Sequence, residues 1–70
     1  MMNKQEALEI AMKENGCDKE TAESDYALGY LTINTGRNGN EYAWYLTNSD
    51  EWAIDTDGNK LAAEEIEKQF

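Results

Sequence analysis

The chain has 70 residues with fifteen acidic and six basic side chains, no histidine and one cysteine, for a formal net charge of −9. Such a charge repels nucleic acids and anionic membrane surfaces and attracts basic protein surfaces. The lone Cys17 excludes an internal disulfide, and without histidine the usual proton carrier near neutral pH is missing. We therefore expect one small acidic domain, residues 1–70, that binds a protein, is not an enzyme, and binds neither nucleic acid nor membrane directly.

The first segment predicts a helix with a defined start and stop. Asn3 and Glu6 have the spacing of a capping box, in which each side chain accepts a hydrogen bond from the other residue's backbone N–H. Apolar residues follow at helical spacing, and Gly16 is a suitable terminator because glycine adopts the left-handed conformation without a Cβ clash. Residues 1–13 are charged and lack the apolar run of a signal peptide, so we expect a cytoplasmic protein.

The sequence of the second segment does not decide between a helix and a strand. Asp18 is suited to cap a short second helix. Residues 26–33 fit the periodicities of helix and strand about equally well. We favour a strand from about Ala27 to Thr35, because Tyr, Thr and Ile prefer a pleated surface and Gly29 weakens a helix.

The remaining sequence predicts a meander followed by a helix. Asn38-Gly39 is a strong hairpin signal, residues 41–47 alternate in polarity, and another alternating strand follows the turn at 48–50. Asp57-Gly58-Asn59 is expected to end that strand and to open a last helix. The apolar side of this helix would consist of Leu61, Ala62, Ile66 and Phe70. The predicted fold class is α+β: an N-terminal helix, a short second helix left open, a three-stranded antiparallel meander and a C-terminal helix.

The alternation also suggests which sheet face the helices cover. We expect the covered face to carry Trp44, Leu46, Trp52 and Ile54. The opposite face would carry Ala43, Tyr45 and Ala53, with Leu28 and Tyr30 beside them. If it stays open, this acid-rimmed patch of tyrosine and small residues is typical of a protein-binding site. The alternative is that the last helix crosses and buries it.

No pattern in the chain indicates catalysis, a cofactor or a metal site. Asp55, Asp57 and Glu64 have part of the spacing of an EF-hand calcium loop, but Ala53 and Lys60 occupy the first and eighth positions. A strand-turn-helix junction is the preferred interpretation. We expect no cofactor and no bound metal.

The acidity is unevenly distributed along the chain. Residues 1–25 carry a net charge of −4, residues 26–49 are neutral and residues 50–70 carry −5. Carboxylates one helical turn apart are about 5–6 Å from each other, a distance close to the phosphate repeat of an extended nucleic-acid strand. If the helical pairs share one side of the molecule, they would substitute for phosphates on a basic surface; otherwise they only keep a small protein in solution. The candidate partner-binding carboxylates are Glu6, Glu9, Glu20, Glu23, Asp50, Glu51, Asp55, Asp57, Glu64, Glu65 and Glu67, with Tyr30 and Tyr45 as aromatic anchors.

Two resemblances to known families accompany this pattern. In size, acidity and lack of catalytic residues, the chain resembles the small inhibitors carried by bacteriophages, including anti-CRISPR proteins. That resemblance implies an inhibitor that occupies the nucleic-acid-binding channel of a larger protein. Residues 3–11 and 51–58 resemble the helix and final hairpin of PepSY-like domains, which implies a helix packed on a meander, an extracytoplasmic location and, for some members, protease inhibition.

Two functional hypotheses follow. The first is an acidic inhibitor, a DNA mimic that occupies the basic surface of a nucleic-acid-binding protein. The second is a small accessory or structural domain that forms a homodimer or docks through an open aromatic sheet face. Steep weakening of binding with added salt would favour the first hypothesis, because charge-driven association is screened by ions.

Overall fold

The structure, a computed structural model, describes residues 1–70 and contains three helices and one three-stranded sheet. The sheet is antiparallel throughout, with the strand order β1-β2-β3. The predicted α+β class is confirmed, and the short second helix that the sequence left open is present. The elements are α1 (Lys4–Asn15), α2 (Lys19–Leu28), β1 (Leu31–Thr35), β2 (Glu41–Leu46), β3 (Glu51–Asp55) and α3 (Ala63–Gln69).

Local capping sets the start of the first two helices. Asn3 Oδ1 accepts a hydrogen bond from the Glu6 backbone N–H at 2.9 Å, and Glu6 Oε1 accepts one from the Asn3 N–H at 3.0 Å. This is the predicted capping box. At α2, Asp18 Oδ1 accepts from the Thr21 N–H at 2.8 Å. That hydrogen bond favours the ionised carboxylate and lowers the pKa of Asp18 below its ordinary value of 3.8.

The predicted strand start at Ala27 is wrong, because α2 continues through Leu28 and β1 begins at Leu31. Gly29 adopts the left-handed conformation (φ 86°) and terminates α2. Its N–H donates to the Tyr26 carbonyl at 3.2 Å, and the Tyr30 N–H donates to the Asp25 carbonyl at 2.9 Å. This is the Schellman pattern of a helix C-terminus. Gly29 therefore ends a helix, whereas the sequence interpretation treated it as an argument against one.

Different helices cover the two faces of the sheet. On one face, here called the α1–α2 face, Leu31, Ala43, Trp52 and Ile54 pack with buried residues of α1 and α2 in one core cluster. On the other, the α3 face, Ile66 packs with Tyr42 and Ala53. Beyond the end of α3, the Phe70 ring stacks on Trp44 with centroids 4.8 Å apart.

The expected grouping of Trp44, Leu46, Trp52 and Ile54 on one face is wrong. Trp44 pairs with Ala53 and Tyr45 with Trp52, and directly paired residues point to the same face. Trp44 and Leu46 therefore lie on the α3 face, and Trp52 and Ile54 lie on the α1–α2 face. Alternation within each strand is as predicted, but a shift of one residue between strands reverses the face of every side chain.

This register also distributes the residues of the expected open face over both faces of the sheet. Ala43 and Tyr45 lie on the α1–α2 face, where Ala43 is fully buried and Tyr45 packs against the core cluster. Ala53 is fully buried on the α3 face. Only Leu28 and Tyr30 of the predicted patch remain exposed.

The last helix begins later than predicted. After the turn, the chain remains extended beside β3: Lys60 forms a β-bridge with Ile54, and the Leu61 N–H donates to the Ala53 carbonyl at 2.9 Å. Leu61 packs against the Tyr42–Ala53–Ile66 cluster from this extended segment. Helix α3 starts only at Ala63, because these backbone bonds to β3 hold the preceding residues in an extended conformation.

Candidate partner-binding surfaces

The buried Asp55 carboxylate organises the turn after β3. Its Oδ1 accepts hydrogen bonds from the backbone N–H groups of Asp57 at 3.0 Å and Asn59 at 2.8 Å, and its Oδ2 accepts from Asn59 Nδ2 at 3.1 Å. Burial raises the pKa of Asp55, but the hydrogen bonds from Asn59, Asp57 and Gly58 outweigh burial and hold that pKa below 3.8. Asp55 is therefore ionised at neutral pH although only 8% of the residue is exposed.

The spacing that resembles a calcium loop is explained by this turn. Both Asp55 oxygens accept hydrogen bonds from N–H groups within the turn. Glu64 lies on α3, after the extended segment that follows the turn. No group of three or more Cys, Asp or Glu side chains is arranged to hold a metal ion.

A groove between α1 and this turn brings distant carboxylates together. It measures about 350 Å³, and we call it the acidic groove. Glu6 and Glu9 line one wall from successive turns of α1, and Asp57 lines the other from the far end of the chain. Lys13 is the one cation in the lining. The remaining lining residues are Ile10, Ile54, Asp55, Thr56 and Gly58.

A second groove, at the C-terminal end of α1, also contains carboxylates. Glu14, Asp25 and Asp50 line it together with Cys17 and Tyr45. The Tyr45 ring stacks on Trp52 with centroids 5.3 Å apart. Burial raises the pKa of the Tyr45 hydroxyl above 10, and the neighbouring Asp25 carboxylate raises it further.

Cys17 lies in the same groove and is half-buried. Its Sγ is 3.9 Å from the Ala11 carbonyl oxygen, within reach of a weak S–H hydrogen bond.

Few of the carboxylates are neutralised by ion pairs. Glu23 pairs with Lys19, Glu65 with Lys68 and Glu14 with Lys60, and Glu41 pairs with the N-terminal amino group. Eleven of the fifteen acidic side chains therefore have no cation within 4.0 Å. Exposed ion pairs of this kind contribute little to stability.

The predicted carboxylates do not form a single row. Glu6, Glu9, Asp55 and Asp57 come together around the acidic groove, and Glu20 and Glu23 lie on α2, on the same side of the sheet. Glu64, Glu65 and Glu67 lie on α3, across the sheet from α1 and α2. Asp50 lines the second groove, and Glu51 lies at the end of β3.

At that end of the sheet, Tyr30, Leu46 and Glu51 form a row on the α3 face, here called the end row. Leu46 pairs with Glu51, and its N–H donates to the Tyr30 carbonyl at 2.9 Å, which extends the β1–β2 pairing by one position. The α3 packing involves the middle of the sheet, at Tyr42, Trp44 and Ala53. Tyr30 is 44% exposed and Leu46 is 47% exposed.

Leu46 is the surface residue that the sequence interpretation missed. It was assigned to the covered face because it continues the alternation of β2. The available signal was its position as the last strand residue before a polar turn, where a covering helix is least expected.

Comparison with protein-family models, with curated proteins and with solved structures gives no match to this chain. The two family resemblances therefore stay predictions. None of the three helices has both the length and the apolar character required to cross a membrane.

Proposed function

We propose that this protein is a non-enzymatic acidic inhibitor that acts in the cytoplasm. It binds the basic, nucleic-acid-binding surface of a larger protein and competes there with DNA or RNA, as the resemblance to phage-encoded inhibitors implies. The observation that carries the proposal is the acidic groove, where Glu6, Glu9 and Asp57 converge from opposite ends of the chain with Lys13 as the only cation.

The electrostatics of the groove favour a cationic partner. A concave surface lined by charges of one sign focuses the electrostatic field and raises the local concentration of groups of opposite charge. Asp55 also lines the groove and adds to this field, because its lowered pKa keeps it ionised at neutral pH. Glu6 and Glu9 are one helical turn apart, which sets their carboxylates at about the spacing of successive phosphates. An Arg- or Lys-rich surface that normally holds a nucleic-acid backbone matches this arrangement.

The α3 helix supplies a matched control for the experiment. The groove variant carries Glu6→Gln, Glu9→Gln and Asp57→Asn, and the control carries Glu64→Gln, Glu65→Gln and Glu67→Gln on the opposite face. Both variants lose three negative charges, so only the position of the charge differs. Glutamine at position 6 preserves the capping box.

The assay is a pull-down from a bacterial lysate on the immobilised protein, eluted by a stepwise salt gradient with mass spectrometry of each step. We expect one nucleic-acid-binding protein to be retained by the wild type and the control, released by moderate salt and by competing DNA, and lost by the groove variant. An equal loss of the retained protein from both variants would show that net charge, and not the position of the carboxylates, determines binding. Binding that survives high salt would contradict the proposal.

A further inference from the structure

The end row of Tyr30, Leu46 and Glu51 is a second surface that combines exposed apolar side chains with a carboxylate. We propose that it binds an apolar side chain of a partner protein in a segment where that side chain is flanked by lysine or arginine. The proposal rests on the proposed function in one respect, the basic character of the partner. It assigns to the end row a hydrophobic contact in addition to the charged contact at the acidic groove.

The apolar part of the site is exposed and preformed. Tyr30 and Leu46 line a shallow groove whose other wall is the loop of Thr47, Asn48 and Ser49. That loop is closed by the Thr47 N–H, which donates to the Asp50 carbonyl at 2.9 Å, and by Thr47 Oγ1, which accepts from the Asp50 N–H at 3.2 Å. A preformed wall lowers the cost of ordering on binding. Tyrosine is enriched at the centres of protein interfaces.

The charged part of the site selects a cation. Glu51 lies directly opposite Leu46 in the strand register, and its Oε2 accepts a hydrogen bond from Trp44 Nε1 at 2.9 Å, which holds the carboxylate on the α3 face. No lysine or arginine lines the groove of the end row.

Two of the six cations, Arg37 and Lys60, are located elsewhere. The Arg37 N–H donates to the Gln69 carbonyl, which places Arg37 beside the C-terminal end of α3, and Lys60 pairs with Glu14. A second copy of this chain would bring two bodies of net charge −9 together and set Glu51 near another acidic surface. Charge complementarity therefore favours a basic segment over self-association.

Two synthetic peptides separate apolar from purely charged recognition. The first, Lys-Arg-Leu-Phe-Arg-Lys, carries an apolar centre, and the second, Lys-Arg-Ser-Ser-Arg-Lys, carries the same charge without it. Each is titrated into ¹⁵N-labelled protein and followed by amide chemical shifts. We expect the Leu-Phe peptide to shift the signals of Tyr30, Leu46 and Glu51, and the Ser-Ser peptide to leave these signals unchanged.

A pair of matched variants tests the apolar contact. Leu46→Ser is expected to weaken binding of the Leu-Phe peptide about tenfold. Leu28→Ser, at a leucine that is 65% exposed and outside the row, should leave the affinity unchanged. Because Leu46 is half-exposed, its variant should retain the wild-type spectrum elsewhere, which confirms that it folds.

The outcomes separate this proposal from the proposed function. Equal affinity for both peptides, or shifts confined to the acidic groove, would overturn the end-row site and leave the groove proposal standing. Shifts in the end row without any shift at Glu6, Glu9 or Asp57 would instead support the site and count against the groove. Concentration-dependent shifts of Tyr30 and Leu46 without peptide would assign the row to a second copy of the chain and overturn the proposal.

Discussion

Replacing Asp55 with alanine removes the acceptor of three hydrogen bonds that close the turn after β3. The donors are the N–H groups of Asp57 and Asn59 and the side-chain amide of Asn59, at 2.8 to 3.1 Å. A hydrogen bond to a charged group contributes about 1.5–3 kcal/mol. The donors belong to exposed residues that water can reach after the substitution, and the burial penalty of the carboxylate is also removed. We therefore expect a net loss of about 2 kcal/mol in the free energy of unfolding, which is below the sum of the three bonds.

A loss of this size is measurable by thermal unfolding. For a chain of this length, about 2 kcal/mol corresponds to a fall in Tm of about 8–16 °C, followed by far-UV circular dichroism. Asp57→Ala is the matched control, because Asp57 is an exposed carboxylate in the same turn whose side chain accepts no hydrogen bond, and it should change stability by less than about 0.5 kcal/mol. Equal Tm values for the two variants would refute the assignment of Asp55 as the acceptor that holds the turn.

The effect of Asp55 should depend on pH. Its folded-state pKa is lowered below the ordinary value of 3.8, so the unfolded chain binds the proton more readily than the folded protein. The stabilisation by Asp55 is therefore complete above the unfolded-state pKa and is lost as pH falls through the lower folded-state pKa. Urea unfolding of the wild type and of Asp55→Asn should give a difference that is constant near neutrality and shrinks below about pH 4. A difference that grows on acidification would contradict the direction of the shift.

Three further predictions concern the core, a helix end and a titrating tyrosine. Trp52→Phe retains an aromatic ring but loses the hydrogen bond from Nε1 to Asn15 Oδ1 at 2.9 Å, and we expect the free energy of unfolding, measured in urea, to fall by about 1–2 kcal/mol. Asn15→Ala should lower it by a similar amount. No loss in either variant would contradict a role for this hydrogen bond. Gly29→Ala imposes the left-handed conformation (φ 86°) on a residue with a Cβ, and the free energy of unfolding is expected to fall by about 1–2 kcal/mol in the same assay. An unchanged unfolding midpoint would argue against a left-handed residue at the end of α2. In spectrophotometric titration near 295 nm, the Tyr45 hydroxyl is identified as the component that is absent from Tyr45→Phe. Its pKa should lie above 10 in the wild type and fall toward 10 in Asp25→Asn. An Asp25→Asn value equal to that of the wild type would exclude the Asp25 carboxylate as a cause of the raised pKa.

Much of the secondary structure could be predicted because its signals are local. The capping box of Asn3 and Glu6, the Asp18 cap and the Gly16 terminator each involve residues that are neighbours in sequence. Alternation within β2 and within β3 is local in the same sense. The α2–β1 boundary was misplaced because the prediction treated Gly29 as a residue that weakens a helix, whereas Gly29 terminates α2 in the left-handed conformation.

The candidate site was predicted in composition but not in arrangement. The sequence interpretation named Glu6, Glu9 and Asp57 among its carboxylates, and it considered that helical pairs would share one side only if the fold allowed it. The fold places α3 across the sheet from α1 and α2, so Glu64 and Glu67 are separated from Glu6 and Glu9. Segment charges do not contain this information, because it depends on which face each helix packs against.

The sequence by itself determined the charge, the starts of the first two helices, the turns and the two-residue period of the strands. Only the tertiary structure decided that Trp44 pairs with Ala53 and that Tyr45 pairs with Trp52. That register stacks Tyr45 on Trp52 and leaves Leu46 exposed opposite Glu51. The physical reason is that a strand's alternation has two possible phases relative to its neighbour, and packing between residues distant in sequence selects one of them.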